Sequence, residues 1–535
     1  MQIKLVELLL WCLVAVALII GRFILIDGIY IPNDGYQYLN AASNILDGNI
    51  AQTSIIHFNV ERTWQTIPAP LTTFQPGYPL LIAAISLLGI ELEVSALLIS
   101  AASTVFLIPL LCLFANHFKL SRLTVRILIL FLLANSWVSL YSLETHTEAL
   151  FTLVSFASIG LLMIVLQEYE NNKQRPGLLI LAYVLIGVSF WIRYAGLFLY
   201  VSILLYLIAF LYVHRDAFFK RALVLFIIPT ILIGIGLARN SLLVGTWKGR
   251  FDKEISHSIL KVIFDFVASL HNLIFGHLAF SMYWFAFIEV VLVVSLSLLV
   301  MDRFKKIIKV ANDKHQARLN HAILLLGGYI FIYCGAMFYS YMTVAMSHTS
   351  RMFYPLLPCI LLLGGILSNL DVRPIAKPGN KNRYLLATIS SLLIGVYFVA
   401  NSYMYYEKPK QEHHELAYQM LNSKMPSGEV ANDWITLNIP QNSVITANKG
   451  QATAYLLKRK TLSLISSSYI DFQWDENTLK TMMETYGSKY LILYLDHNKV
   501  VKDTPFLNEL SKGLVPDWLK VEISNSDVII FKALT

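Results

Sequence analysis

Long apolar runs, broken by short links rich in lysine, arginine or glycine, recur along the first three quarters of the chain. A hydrocarbon core about 30 Å thick needs roughly 20 helical residues to cross it. By that criterion about eleven spans are expected, near residues 6–26, 94–115, 125–140, 150–166, 178–191, 195–213, 222–237, 284–301, 322–341, 354–370 and 385–403. The first run follows Lys4 and contains Ala15-Val16-Ala17, as a cleaved signal would, but apolar sequence continues to Ile26 and favours an uncleaved anchor. Residues 78–90 are apolar but too short to cross comfortably, and they read as a helix lying in the outer leaflet. With that parity Lys4, Lys119, Arg122, Arg126, Lys173, Arg175, Arg215, Lys220, Arg221 and the basic clusters at 303–318 and 373–383 share one side, which the positive-inside bias makes the cytoplasm. The other side receives the long loops 27–77 and 239–283, short links at Glu144 and Arg351, and the tail after Tyr403.

From about residue 405 the pattern changes. A charged exit, Glu407-Lys408-Pro409-Lys410-Gln411-Glu412, leads into short β-branched runs at 443–447, 461–465, 490–495, 519–523 and 528–532, with helical stretches at 451–457 and 478–486. Ser524-Asn525-Ser526-Asp527 supplies turn residues for a hairpin between the last two strands. The expected architecture is an α-helical polytopic membrane region over 1–403, with amphipathic surface helices, followed by a small mixed α/β soluble domain over 404–535 outside the cytoplasm.

Composition sharpens this. The chain is 56% hydrophobic and 14% charged, with a mean hydropathy of +0.60, which excludes a soluble enzyme of this length. Its four cysteines, Cys12, Cys112, Cys334 and Cys359, all lie in apolar runs and read as core residues, not a disulfide framework. The net charge of +8 comes from cations that form no stripe suited to nucleic acid. No internal repeat is visible, which disfavours a secondary transporter.

The first external loop is far longer than a turn requires. Within it Asp34 stands where a helix would begin, Tyr38, Leu39, Ala42, Ile45 and Leu46 make an apolar face, and Gly48 can end the helix. Such a helix would lie on the membrane surface and hold Asp34 at the lipid–water boundary. As an alternative, Asp34 is an N-cap. Two prolines and a glycine at 76–79 then start the short apolar helix. In the next link Glu144, His146 and Glu148 lie together with no cation. A carboxylate entering the span at Glu148 is a functional residue by default, although a helix N-terminus also favours one there. External cations are few: Arg193 at a tight turn, Arg239, Arg250 after Trp247-Lys248-Gly249, and Arg351 before Met352-Phe353-Tyr354-Pro355. Arginine matches phosphate oxygens bidentately, so an outer cluster suits a lipid phosphate; snorkelling or ion pairing is the alternative for any single one.

At these residues the sequence resembles membrane glycosyltransferases of the GT-C fold, in the branch of protein O-mannosyltransferases and lipid A aminoarabinose transferases. The elements that carry the resemblance are Asp34-Gly35-Tyr36-Gln37-Tyr38, Thr73 to Leu81 with its Pro-Gly-Tyr-Pro core, Thr147-Glu148-Ala149-Leu150, Ile192-Arg193-Tyr194-Ala195-Gly196, and Ser350-Arg351-Met352-Phe353-Tyr354-Pro355. The resemblance implies that Asp34 is the catalytic aspartate and Glu148 the second acidic position, both catalytic. Arg193, Arg250 and Arg351 are then expected to bind the donor phosphate, with Tyr36, Tyr38, Tyr78, Glu144 and His146 as accessory residues. Many relatives carry a basic residue just before the Pro-Gly-Tyr element, where this chain has Phe74-Gln75. The expected reaction moves a sugar with inversion from a polyprenyl-phosphate carrier to a glycan, lipid or protein hydroxyl on the outer face of a bacterial inner membrane. No metal cofactor is required, because arginines can suffice where the leaving group is a monophosphate and no Asp-x-Asp pair appears; a divalent metal on Glu144, His146 and Glu148 is the weaker alternative, since their spacing matches no strong ligand pattern. The competing reading is a transporter or flippase of lipid-linked sugars, which would place charges deep in mid-span.

Overall fold

A computed structural model of the chain describes residues 4–26, 31–56, 67–170, 175–214, 217–250, 257–275, 314–344, 350–370, 426–464, 474–495, 504–525 and 528–534; the expected spans near 284–301 and 385–403 fall outside these. The first half is built from α1 (Leu5–Ile26), α2 (Asn33–Leu46), the two-residue strands β1 (Gln52–Thr53), β2 (Ile55–Ile56) and β3 (Ala69–Pro70), then α3 (Gly77–Ser86), α4 (Leu92–His117), α5 (Arg122–Ala134), α6 (Ser136–Tyr141), α7 (Glu148–Glu170), α8 (Pro176–Ile192), α9 (Gly196–His214), α10 (Ala217–Leu225), α11 (Ile227–Val244) and α12 (Ile259–Phe275). A long α13 (Lys314–Thr343), a 3₁₀ turn over Ser350–Leu356 and α14 (Leu357–Leu370) follow.

Among the described residues six helical stretches are long and apolar enough to cross a membrane: Leu5–Ile24, Leu92–His117, Glu148–Tyr169, Phe218–Val244, Leu319–Thr343 and Ser350–Leu367. Three more helices, α3, α8 and α9, are apolar but shorter. The chain is an integral membrane protein. α3 has only 10 residues, as its sequence predicts, and it buries Tyr78, Pro79, Ile82 and Ala83 while leaving Leu80, Leu81, Leu87 and Leu88 outward.

The span expected over 125–140 is corrected. Asn135 takes an extended conformation and its side chain accepts from the backbone N–H groups of Trp137 and Val138, so α5 ends there and α6 starts anew. The same Asn135 side chain donates to the carbonyl of Leu273 at 2.8 Å, so a buried polar contact with α12 sets the break. Between α8 and α9 the chain reverses within three residues because Gly196 sits against the last turn of α8; a Cβ there would lie 2.3 Å from the Phe190 nitrogen.

The tail forms α15 (Pro426–Asn438), β4 (Val444–Ala447), α16 (Gly450–Leu456), β5 (Lys460–Ser463), α17 (Glu476–Thr485), β6 (Tyr490–Tyr494), α18 (Pro505–Ser511), β7 (Leu519–Ser524) and β8 (Val528–Ala533). Asp475 caps α17 by accepting from the Thr478 N–H at 2.8 Å. The sheet has six strands in the order β2-β5-β4-β6-β8-β7. β2, β5, β4 and β6 run parallel, and β8 and β7 close it antiparallel, Tyr490 opposite Lys532 and Leu519 opposite Ala533. A parallel sheet must be covered on both faces. One face packs Trp474, Leu479, Leu491, Leu493 and Phe531 together. The other shares a single core with the membrane region, in which Ile445, Ile492 and Ile530 join Tyr36, Tyr38 and Leu39 of α2, Tyr78 of α3 and Ile99 of α4.

The edge strand β2 comes from the loop that follows α2. Ile55 and Ile56 lie beside Thr461 and Leu462, and the Thr461 N–H donates to the Ser54 carbonyl at 2.9 Å. The helix expected along the membrane surface is held by protein: α2 packs against α3, α4 and α16 and buries every residue from Gly35 to Ala42. Its polar side is satisfied internally, with Asn40 Oδ1 accepting from the Ser54 N–H at 2.8 Å and Gln37 donating to Thr53 at 2.9 Å. Burial against the bundle and the α/β unit orients this helix.

Candidate active site

α2 begins at Asn33 with Pro32 before it and no side-chain cap, so Asp34 is not an N-cap. Its carboxylate instead faces Arg351, 2.8 Å away, with about 29% of the side chain exposed. α2 reaches this position because residue 35 has no side chain: a Cβ at Gly35 would lie 3.0 Å from the carbonyl oxygen of Thr145. The first turn of α2 is thereby pressed onto the link that carries Glu144, His146 and Glu148.

Glu148 opens α7, where the positive end of the helix dipole favours a carboxylate. It is completely buried and bridges two arginines. Arg193 Nη1 meets Glu148 Oε1 at 2.5 Å, and Arg351 Nε contacts the same oxygen. Arg193 stands in extended conformation directly after α8, where it also donates to Thr147 Oγ1 at 3.3 Å and touches Met352 Sδ at 3.1 Å. Arg351 lies in the 3₁₀ turn ahead of α14, and Tyr333 of α13 holds that turn by donating to the Met352 carbonyl at 2.7 Å. Two carboxylates and two guanidinium groups thus form one chain, Asp34–Arg351–Glu148–Arg193, across four segments. Their charges balance, which is the condition for burying them at all.

His146 is 4% exposed and accepts at Nδ1 from Arg351 Nη2 at 3.1 Å, while its Nε2 faces Glu144 Oε2 at 3.6 Å. An accepting Nδ1 requires a neutral ring. Burial, with the Arg351 cation second, pushes the His146 pKa from 6.5 down to about 4. Burial would raise the Asp34 carboxyl, but the adjacent Arg351 holds it below the usual aspartate value. Because the unfolded chain takes up a proton at His146 near pH 6.5 and the folded chain only near 4, stability is full above pH 6.5 and declines as pH falls across that window. A melting curve in detergent between pH 7 and pH 4 should show this decline, and His146→Gln should flatten it.

The three tyrosines expected as accessory residues lie in one aromatic neighbourhood around α2. Tyr38 packs edge-on against Phe74 and Tyr78, each 5.2 Å away between ring centres, and Tyr36 faces Tyr455 of α16 at 6.1 Å. Arg239 pins the first loop by donating to the carbonyls of Leu71 and Ala51. Arg250 follows Gly249, which packs against the Tyr194 hydroxyl next to Arg193, and that hydroxyl accepts from Asn240 at 2.8 Å. Among the described residues no group of three or more His, Cys, Asp or Glu is arranged to hold a metal ion; the Glu144-His146-Glu148 link faces Arg351 and Arg193 instead. Sequence reasoning missed Thr147, Tyr333 and Met352. Thr147 stands inside the Thr-Glu-Ala-Leu element, but Tyr333 lies in mid-span with nothing around it to mark it.

A helical bundle with an α/β unit locked onto one end, and an acid–arginine chain at that seam, defines an integral membrane protein of the GT-C fold. The chain is similar along its whole length to ArnT from Cupriavidus metallidurans in the apo state, with a TM-score of 0.59 at 13% identity over 98% of this chain and 97% of that one. The same protein bound to undecaprenyl phosphate gives 0.58 at 13% identity, over 98% and 97% of the two chains. The oligosaccharyltransferase of Archaeoglobus fulgidus in the apo form matches with a TM-score of 0.55 at 11% identity over 92% of this chain and 70% of its own. The arabinofuranosyltransferase AftD from Mycobacteria matches at 0.54 and 13% identity, over all of this chain but 40% of its own. No protein-family model matches the sequence, and no curated protein does.

Proposed function

We propose that this protein is an inverting glycosyltransferase that moves a sugar from a polyprenyl-phosphate carrier to an acceptor hydroxyl at the outer face of the membrane. The observation that carries the reading is the Asp34–Arg351 pair, with Arg351 anchored in turn on Glu148 beside Arg193, at one end of a GT-C bundle. The binding of undecaprenyl phosphate by the similarly folded ArnT supports a lipid-phosphate donor. The Lys and Arg bias of the links supports an outer-face site.

In this reading each charged group has a distinct role. A carrier phosphate entering beside Arg351 and Arg193 competes with the carboxylates for their N–H groups, because charge-assisted bonds to phosphate are as strong and often bidentate. Drawing Arg351 toward the phosphate loosens its hold on Asp34, whose affinity for a proton then rises. The free carboxylate accepts the proton of the acceptor hydroxyl as that oxygen attacks the anomeric carbon, and the bond to the phosphate oxygen breaks on the opposite face with inversion. The two arginines stabilise the departing phosphate in a water-poor site. Glu148 is fully buried, so it is a positioning residue: it holds both guanidinium groups without touching substrate.

The test is incubation of detergent-purified protein with radiolabelled polyprenyl-phosphate sugars and a lysate-derived acceptor pool. Release of free lipid phosphate together with an inverted glycosidic product is the expected result. Carrier crossing a reconstituted bilayer with its sugar still attached would instead make the protein a transporter.

A further inference from the structure

The α/β unit carries a second cationic feature, away from the chain of four charges. A cavity of about 480 Å³ opens between the end of α15 and the end of α16, lined by Thr436, Asn438, Gln441, Leu457, Lys458 and Arg459 among others, with no aspartate or glutamate in the lining. That volume is in the range of small-molecule sites. Arg459 is only 7% exposed. One of its five N–H groups donates to the Ile439 carbonyl just past α15, at 3.1 Å, and its Nε is buried with no hydrogen-bond partner. Burial lowers the guanidinium's proton affinity, and no carboxylate acts to restore it.

Buried guanidinium groups are paired as a rule, because an unpaired one forfeits its hydration without compensation. The Ile439 carbonyl and the negative end of α15 compensate in part. They leave Nε unmatched. Beside it, Lys458 is exposed and takes a positive φ of 50° at the position after α16 where glycine is the usual residue. The chain thus sets a lysine and an arginine side by side on the rim and wall of one cavity at the cost of some backbone strain.

We propose that this cavity binds an oxyanion, the phosphate or carboxylate of a molecule about the size of one or two sugars, with Arg459 and Lys458 as its charged contacts and Gln441 at its edge. The site stands independently of the transfer reaction. It lies just beyond Tyr455, the α16 residue that donates to Glu93 at 2.6 Å and faces Tyr36, so a ligand held there sits next to the contact between α16 and the catalytic helix.

The experiment is calorimetric titration of the full chain in detergent with glucose 6-phosphate, glucuronate, short-chain phosphatidic acid and uncharged glucose. Saturable binding of at least one of the charged probes, with none of glucose, is expected; the probe that binds separates a phosphate from a carboxylate and a soluble ligand from a lipid headgroup. Lys458→Glu and Gln441→Glu change exposed positions, and each should weaken that binding by about tenfold or more while carrier cleavage is retained. Absence of saturable binding by every charged probe would overturn the proposal, and so would binding that both variants leave unchanged, since the anion would then sit at Arg193 and Arg351.

Discussion

Asp34→Asn is expected to abolish sugar transfer, lowering kcat by roughly a hundredfold to ten-thousandfold, the range that a lost general base produces. Asparagine has nearly the same shape and can still accept from Arg351, so the α2 helix and its surroundings should persist. Asp34 is about 29% exposed and Arg351 keeps Glu148 as a partner, so little folding energy depends on the aspartate. The discriminating measurement pairs turnover of labelled carrier with the melting temperature in detergent. Transfer should vanish while melting stays within a degree or two of the parent. Turnover within about tenfold of the parent would remove the carboxylate from the chemistry and leave Asp34 as an ion-pair partner only.

Glu148→Leu should act on folding first. The carboxylate is fully buried and faces two arginines, themselves about 15% and 24% exposed. Removing it leaves two like charges held together with only Asp34, on Arg351, to offset them. Breaking a buried ion pair from one side costs about 3–5 kcal/mol. Yield of folded protein and melting temperature should both fall, and carrier affinity should fall with them because the guanidinium groups lose their anchor. Adding Arg193→Met to Glu148→Leu should recover part of the stability, since residues within one network are not additive. It should not recover transfer. If Glu148→Leu melts like the parent, the arginines are held by something other than this carboxylate.

The residues of the site were legible because each is a charge in an apolar setting. Arg193 interrupts a long hydrophobic run, Asp34, Glu148 and Arg351 stand in links at the edge of apolar stretches, and burial of a charge demands a partner. That they would find one another through a shared oxygen of Glu148 was not legible, because the pairing joins α2, α7, the α8–α9 turn and the turn before α14. The strands of the tail were equally plain. The runs at 490–495 and 528–532 reappear as Tyr490–Tyr494 and Val528–Ala533, since β-branched residues between polar turns leave few alternatives. The break at Asn135 was hidden, because Leu, Ile and Trp continue on both sides of it and the cause is a carbonyl on α12. Arg250 read like Arg193 and Arg351 on charge alone, and only the tertiary course of the chain brings its neighbour Gly249 against the Tyr194 hydroxyl. The role of Ile55 and Ile56 was hidden as well. Two apolar residues in a loop carry no period, and their partner strand stands at the far end of the sequence.

That pairing of β2 with β5 bears on biogenesis. The loop that follows Asp34 leaves the ribosome early, yet the strand that fastens it is made only after the helices of the bundle. Contacts between such distant parts of a chain form late. The end of the protein that holds Asp34 stays unfastened until the tail strands have been made, so a stalled or shortened product would be threaded through the membrane with that end unassembled.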